Sequence, residues 1–263
     1  MRAASCKRPV KKVGFKSGWA IENNERRENM ITQELTIENI PALLWGEKSD
    51  KLIVAVHGNQ SHKQDAPLAL LAQEAAPLGY QVLSFDLPQH GDRQAEEILC
   101  KVQQCVYELG QVMEFARKQA KEISLFACSM GAYFSLLAYE AVLLRQSLFL
   151  SPVVDMKRLI DSMMLYFDVS KERLQQEKEI STPIGQTLYW DYYCYVQEHP
   201  ISNWPSPTAI LYGAKDALCE RDVVSFFAKR FGCDLTVMAE GEHYFHTPEQ
   251  LDYYREWLKQ RLK

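Results

Sequence analysis

The residues best equipped for chemistry in this sequence are a serine near its midpoint and an aspartate and a histidine in its second half. Ser129 lies in Phe126-Ala127-Cys128-Ser129-Met130-Gly131-Ala132, between an apolar run that reads as a buried strand and a stretch of helical pattern. A serine on a sharp strand-to-helix turn is thrust above the sheet edge, and small residues two places before and after it let strand and helix approach. Ala127 and Gly131 hold those places. The competing role for such a serine is a plain helix N-cap. Asp216 follows the strand-like Thr208 to Tyr212, in Gly213-Ala214-Lys215-Asp216, a spacing that also suits an ordinary turn. Asp155, three residues after Pro152, is the rival acid. His243 stands in Glu240-Gly241-Glu242-His243-Tyr244-Phe245-His246, ahead of a helix opened by Thr247-Pro248, a cap with proline at the first helical position. His246 is the alternative histidine, closer to that cap. A serine deprotonated by a histidine that an acid orients is an activated nucleophile for a carbonyl carbon.

Such an attack places negative charge on the carbonyl oxygen, which needs fixed N–H donors. The backbone of Met130, directly after the serine, supplies one. Asn59, in Val56-His57-Gly58-Asn59-Gln60-Ser61, supplies the other, with Gly58 allowing close approach. His57 reads as structural, its ring hydrogen-bonded beneath the loop.

The elements that must position these groups can be read from periodicity. Ile31 to Glu38 alternates apolar and polar residues and Ile40 to Trp45 follows at once, as in an antiparallel hairpin with one face in water. Leu52 to Val56 is continuously apolar, and Val82 to Phe85, Ile123 to Ala127 and Leu148 to Leu150 are apolar but for Ser84 and Ser124, as parallel strands covered on both faces are. Helices are expected over Pro67–Leu78, Gln94–Gln119, Gly131–Arg145, Met156–Lys178 and Asp222–Phe231 and from Thr247 onward, with further strands at Thr208–Tyr212 and Leu235–Met238. Repeated strand–helix units after a hairpin imply an α/β fold with a mostly parallel central sheet and helices on both faces. The rhythm breaks at about residues 153–204, which read as an inserted helical cap. Residues 30–263 form one domain, and residues 1–29 read as a disordered or irregular lead-in.

Composition narrows the function classes. The chain of 263 residues is 47% hydrophobic and 24% charged, with net charge −4. Arg2, Lys7, Arg8, Lys11, Lys12 and Lys16 concentrate positive charge at the amino end, leaving 24 basic against 34 acidic residues in the rest. An acidic body does not suit a nucleic-acid partner. No run approaches the roughly 18 apolar residues of a membrane span, so no stable membrane insertion is expected. No apolar stretch follows the basic amino end as in a secretory signal, and the expected location is cytoplasmic. Seven cysteines without a CxxC pair suit free thiols better than a disulfide framework or a zinc site. Metal and cofactor are expected to be absent: there is no HExxH, phosphate loop or dinucleotide fingerprint.

From Met30 to the end the chain resembles the α/β-hydrolase superfamily, above all its capped, single-domain serine hydrolases of the esterase, lipase and aminopeptidase-like kind. The resemblance rests on the Ser129 turn, with Ala127 in place of the first glycine of GxSxG, on Tyr212 to Asp216, and on Glu242 to Phe245. Phe85-Asp86-Leu87-Pro88-Gln89-His90-Gly91-Asp92 is similar to that family's Asp-x-Pro-Gly-His-Gly loop, Gln89 replacing a glycine and Asp86 and Gly91 being architectural. The chain order serine, acid, histidine is that of the fold. The resemblance implies two-step acyl transfer without metal or cofactor, Ser129 as nucleophile, His243 as base and Asp216 as the acid that holds the histidine. The fold itself hosts many chemistries.

The expected partner is a small or medium, partly apolar ester or amide substrate. Within the cap, Tyr166, Phe167, Tyr189 and Trp190 are the candidate pocket residues, although such aromatics also pack a cap onto its core. Glu172, Glu177, Glu179 and Glu198 could hold a peptide amine, or be a solvated helix face. Three alternatives to a carboxylesterase stay open: a thioesterase or acyltransferase, an aminopeptidase-like amide hydrolase, and a catalytically silent binding protein. The oligomeric state is not legible in the sequence.

Overall fold

In the computed structural model the described residues are 30–262, so the basic lead-in over residues 1–29 lies outside them. The chain runs through β1 (Thr32–Ile37), β2 (Ile40–Trp45), β3 (Lys51–Val56), α1 (Ala66–Ala75), β4 (Gln81–Phe85), α2 (Val102–Gln119), β5 (Glu122–Cys128), α3 (Ser129–Ala138) and β6 (Ser147–Leu150). An excursion follows: α4 (Met156–Tyr166), α5 (Lys171–Glu177), a two-stranded ladder of β7 (Glu179–Ser181) and β8 (Thr187–Tyr189), and α6 (Trp190–Glu198). The chain then returns through β9 (Thr208–Gly213), α7 (Arg221–Phe231), β10 (Asp234–Met238) and α8 (Pro248–Arg261).

Eight strands form one sheet in the order β1-β2-β4-β3-β5-β6-β9-β10. β2 pairs antiparallel with β1 and β4, and the remaining neighbours are parallel. On β3 the side chains alternate between two cores, as the two-residue strand period requires. Leu52, Val54 and Val56 join the core under α2 and α3, which continues through Met156, Ile160 and Met164 into the excursion. Ile53 and Ala55 join the core under α1 and α8, with Leu71, Tyr254 and Trp257. Burial on both faces explains why the central strands are apolar at nearly every interior position, with small serines (Ser84, Ser124) as the exceptions.

The register sets the carboxyl end of β3 beside that of β5, Val56 facing Ala127. β6 and β9 continue the same alignment. The loops leaving these strands therefore converge at one sheet edge, where ligands gather in folds of this kind.

Several boundaries differ from the sequence expectation, each for a local reason. The hairpin is asymmetric: β1 is mostly exposed, but β2 is buried because it is the inner partner, held between β1 and β4. The helix expected from Gln94 starts at Val102. Residues 94–101 are a loop with Ile98 exposed, held where the Cys100 N–H donates to Gln89 Oε1 at 3.2 Å. α3 ends at Ala138, not Arg145. The expected helix Met156–Lys178 is two helices, because Asp168 takes a left-handed backbone (φ +53°) and Ser170 caps α5, accepting from the Arg173 N–H at 3.1 Å.

Candidate active site

Ser129 stands at the junction of β5 and α3 with φ +47°, a strained backbone value for a non-glycine residue. The turn closes because Gly131 has no side chain: a Cβ there would overlap the His57 carbonyl oxygen. The helix amino end thus lies directly on the loop after β3. A Cβ on Gly58 would come 3.1 Å from that of Ser129, which puts neighbouring Asn59 beside the serine. Asn59 and Met130 both line the cleft with Ser129. Met130 is in the first turn of α3, where backbone N–H groups have no intrahelical acceptor and the helix dipole favours negative charge.

His243, 114 residues further on, brings Nε2 to 2.7 Å from Ser129 Oγ. Its Nδ1 lies 2.7 Å from Asp216 Oδ2. The carboxylate accepts only, so Nδ1 carries the proton and Nε2 is left to accept from the serine hydroxyl. The Asp216 side chain is fully buried, and its Oδ1 accepts from the Leu218 and Cys219 N–H groups at 2.8 and 2.9 Å. Two backbone bonds join the acid and histidine loops: Lys215 N–H to the Gly241 carbonyl (2.8 Å) and Ala214 N–H to the Met238 carbonyl (2.9 Å).

The rival residues are committed elsewhere. Asp155 caps α4, accepting from the Arg158 N–H at 2.9 Å. His246 holds the Tyr244 carbonyl through Nδ1 at 2.8 Å and stacks on the Tyr244 ring. His57 is buried, with Nδ1 2.7 Å from the Gly58 carbonyl and Nε2 accepting from the Leu87 N–H at 3.0 Å. These two bonds require the neutral ring with the proton on Nδ1. Burial, with little help from its neighbours, lowers its pKa to about 4. His57 thereby ties the Asn59 loop to the loop after β4.

That second loop has its own anchor. Buried Asp86 accepts from the Lys63 N–H (2.8 Å) and Lys63 Nζ (2.5 Å), and the Asp92 N–H donates to it at 3.1 Å. Arg93 donates to the Asp86 carbonyl at 3.0 Å and makes a paired bond to buried Glu108 at 2.6 and 2.9 Å. The Asp86 segment is architectural in this sense.

Asp216, Cys219 and His243 also form a group whose ligand-type atoms all lie within 4.8 Å of one another. Both imidazole nitrogens and both carboxylate oxygens are already engaged. Burial and the Asp216 charge push the Cys219 thiol up to about 12. A thiol with that pKa is a poor metal ligand, since the thiolate is the ligating form.

The serine opens into a cleft of about 800 Å³. One wall is the face of α4 that carries Met156, Leu159, Ile160 and Met163, at the i, i+3, i+4, i+7 spacing of a helical stripe. The loop and strand around Ile184 and Leu188 extend it. The opposite wall is polar, with Gln60, Ser61, His62, Gln89, His90 and Gln94 from the loops after β3 and β4. Among the described residues, no lysine, arginine, aspartate or glutamate lines the cleft. Of the four aromatic pocket candidates only Tyr189 lines it, and the other three need correction. Tyr166 is 81% exposed at the end of α4, Phe167 packs edge-on against it, and Trp190 packs beside Tyr193. The missed wall was signalled by the apolar stripe of α4, whereas the aromatics drew attention by type alone. His90, Cys100 and Tyr192 also reach the cleft; no local pattern marks them, because the fold alone carries them there.

The fold is that of the α/β-hydrolase superfamily. Among solved structures, the chain is similar to Est1E of Butyrivibrio proteoclasticus, solved with ferulic acid bound (18% identity, TM-score 0.71, covering 87% of this chain and 97% of that one). It is likewise similar to mouse alpha/beta hydrolase domain-containing protein 10 (15% identity, TM-score 0.70, 88% and 98% covered) and to the Pyrococcus furiosus esterase Pf2001 (18% identity, TM-score 0.63, 91% and 96% covered). No protein-family model matches the sequence, and no curated relative does.

Proposed function

We propose that this chain is a serine hydrolase that cleaves an uncharged carboxylic ester with an apolar acyl part. The observation that carries the reading is the unbroken line Ser129–His243–Asp216, two contacts of 2.7 Å each, at the floor of a cleft wide enough for a small molecule. His243 Nε2 takes the serine proton as Oγ attacks the carbonyl carbon. The oxyanion is held by the N–H groups of Asn59 and Met130, each such donor contributing ~10²–10³ in rate. His243 then protonates the leaving alcohol, and a water activated by the same nitrogen frees the acyl group. Asp216 keeps the imidazole in the required tautomer and offsets its positive charge. The esterase Pf2001 among the structural neighbours agrees with this reading.

The cleft walls favour a neutral substrate. A free amine needs a carboxylate and a phosphate-bearing thioester needs lysine or arginine, and among the described residues neither lines the cleft. Glu172, Glu177 and Glu179 are exposed and absent from its walls, which weighs against the aminopeptidase alternative. The excursion between β6 and β9 serves as the cap, α4 giving it an apolar lining.

A fluorophosphonate probe tests the nucleophile: wild type should label at Ser129 and Ser129→Ala should not. A panel of neutral esters of rising acyl length, thioesters and aminoacyl amides tests the class. Fastest turnover on aminoacyl amides would overturn it. Labelling without turnover on any of them would favour the silent binding protein.

A further inference from the structure

Two cysteines that no sequence motif pairs meet in the fold. Cys100 lies near the end of the 94–101 loop and Cys105 in the first turn of α2, and their sulfurs are 3.7 Å apart. Cys105 is fully buried, while Cys100 is half-buried and lines the cleft. The Cys100 backbone is held by Gln89, and His90 stands next to its sulfur. The His90 ring is itself fixed, Nδ1 2.8 Å from the Pro88 carbonyl and Nε2 3.3 Å from Asn59 Oδ1.

The surroundings divide the labour between the sulfurs. Hydrogen bonding from Cys105, and then from His90, outweighs burial and draws the Cys100 thiol below the ordinary thiol range. Burial first, and the Cys100 sulfur second, push Cys105 well above the ordinary thiol range. Burial opposes a charge on His90, but the Cys100 sulfur and the Pro88 carbonyl raise it on balance. Burial pushes Cys128, Cys219 and Cys233 upward. Since the thiolate is the reactive form, Cys100 is set apart from these thiols.

We propose that Cys100 and Cys105 are a reversible thiol oxidation site, in which Cys100 meets a small hydroperoxide in the cleft and Cys105 resolves the product as a disulfide. The Cys100 thiolate attacks the outer peroxide oxygen, the O–O bond breaks, and the alcohol leaves with the proton of His90. That step makes Cys100 a sulfenic acid. The Cys105 sulfur then attacks the Cys100 sulfur, the S–O bond breaks, and hydroxide leaves as water with the Cys105 proton. Two thiols and a hydroperoxide thus give a disulfide, an alcohol and water. An external dithiol returns both thiols by exchange. The sulfurs are already in contact, so closure asks for a shift of the loop residue and leaves α2 in place.

The test uses the full chain and tert-butyl hydroperoxide at rising molar ratio, read by intact mass and peptide mapping. The first product should be a species lighter by two hydrogens, bridged between Cys100 and Cys105 and restored by dithiothreitol. Cys105→Ser should instead stop at a Cys100 sulfenic acid that dimedone traps, and Cys100→Ser should give neither product. Circular dichroism checks that both variants fold. Should they not, iodoacetamide labelling of the wild type decides: Cys100 should stay reactive at a pH where the other thiols have ceased to react. A first oxidation at another cysteine, or a Cys100 reactivity that fades near the ordinary thiol pKa of about 8.5, would overturn the proposal. None of these readouts depends on ester turnover, so the Ser129 assignment stands or falls separately.

Discussion

Asp216 and His243 lie 27 positions apart in the chain and are joined across 2.7 Å, the acid fully buried and carrying two backbone N–H bonds on its other oxygen. The carboxylate is therefore fixed before the histidine meets it. Asp216→Asn should lower kcat by ~10⁴, as loss of the tautomer-setting acid does elsewhere. Asp155→Asn, which keeps a side chain able to cap α4, should leave kcat near wild type. Steady-state kinetics on one ester compares the two. A large loss at Asp155 with little at Asp216 would reverse the assignment.

His57 links stability to pH. Its pKa is about 4 when folded, against about 6.5 in an unfolded chain. Between those values the unfolded state binds the extra proton, so stability is full above about pH 6.5 and falls as pH drops toward 4. At about 1.4 kcal/mol per unit, the loss attributable to His57 is roughly 3 kcal/mol. Urea denaturation at pH 7 and pH 4.5 should reveal it, and His57→Gln should show a shallower pH dependence over the same interval.

The Asp86 anchor should matter for stability. Asp86→Ala leaves buried Lys63 with only Asp92, whose own side chain is mostly exposed. Breaking a buried pair from one side costs about 3–5 kcal/mol. The remaining Asp92 contact places this variant near the lower figure, measurable as a fall in the denaturation midpoint.

The excursion is latched to the 94–101 loop by Lys101, whose Nζ lies 2.7 Å from Asp191 Oδ2 and 4.3 Å from the centre of the Tyr189 ring. A partly exposed contact of this kind contributes about 0.5–1 kcal/mol. Lys101→Ala should raise KM roughly two- to fivefold with kcat little changed, because Tyr189 belongs to the cleft and the latch includes none of Ser129, His243 and Asp216. A fall in kcat alone would argue against the latch.

What could be read early and what could not divides along physical lines. The central strands are legible because burial on both faces leaves them few polar positions, and Thr247-Pro248 marks the start of α8 because capping is local chemistry. Helix ends were less legible. Ile98 continues an apolar spacing into a segment held as a loop by Gln89, and Ser170 interrupts another by capping a new helix. The cap aromatics misled because ring type does not encode direction: Tyr166 faces water, while the plainer Met156 and Ile160 face the cleft.

Taken alone, the sequence determined the order of strands and helices and placed a serine, an acid and a histidine each at a strand end. These follow from periodicity and turn chemistry, which act over a few residues. The tertiary structure decided which acid faces His243, why His57 stays neutral, which wall of the cleft is apolar, and that Cys100 meets Cys105. Each of these depends on side chains whose separation is set by sheet register and loop path, and no local pattern carries that information.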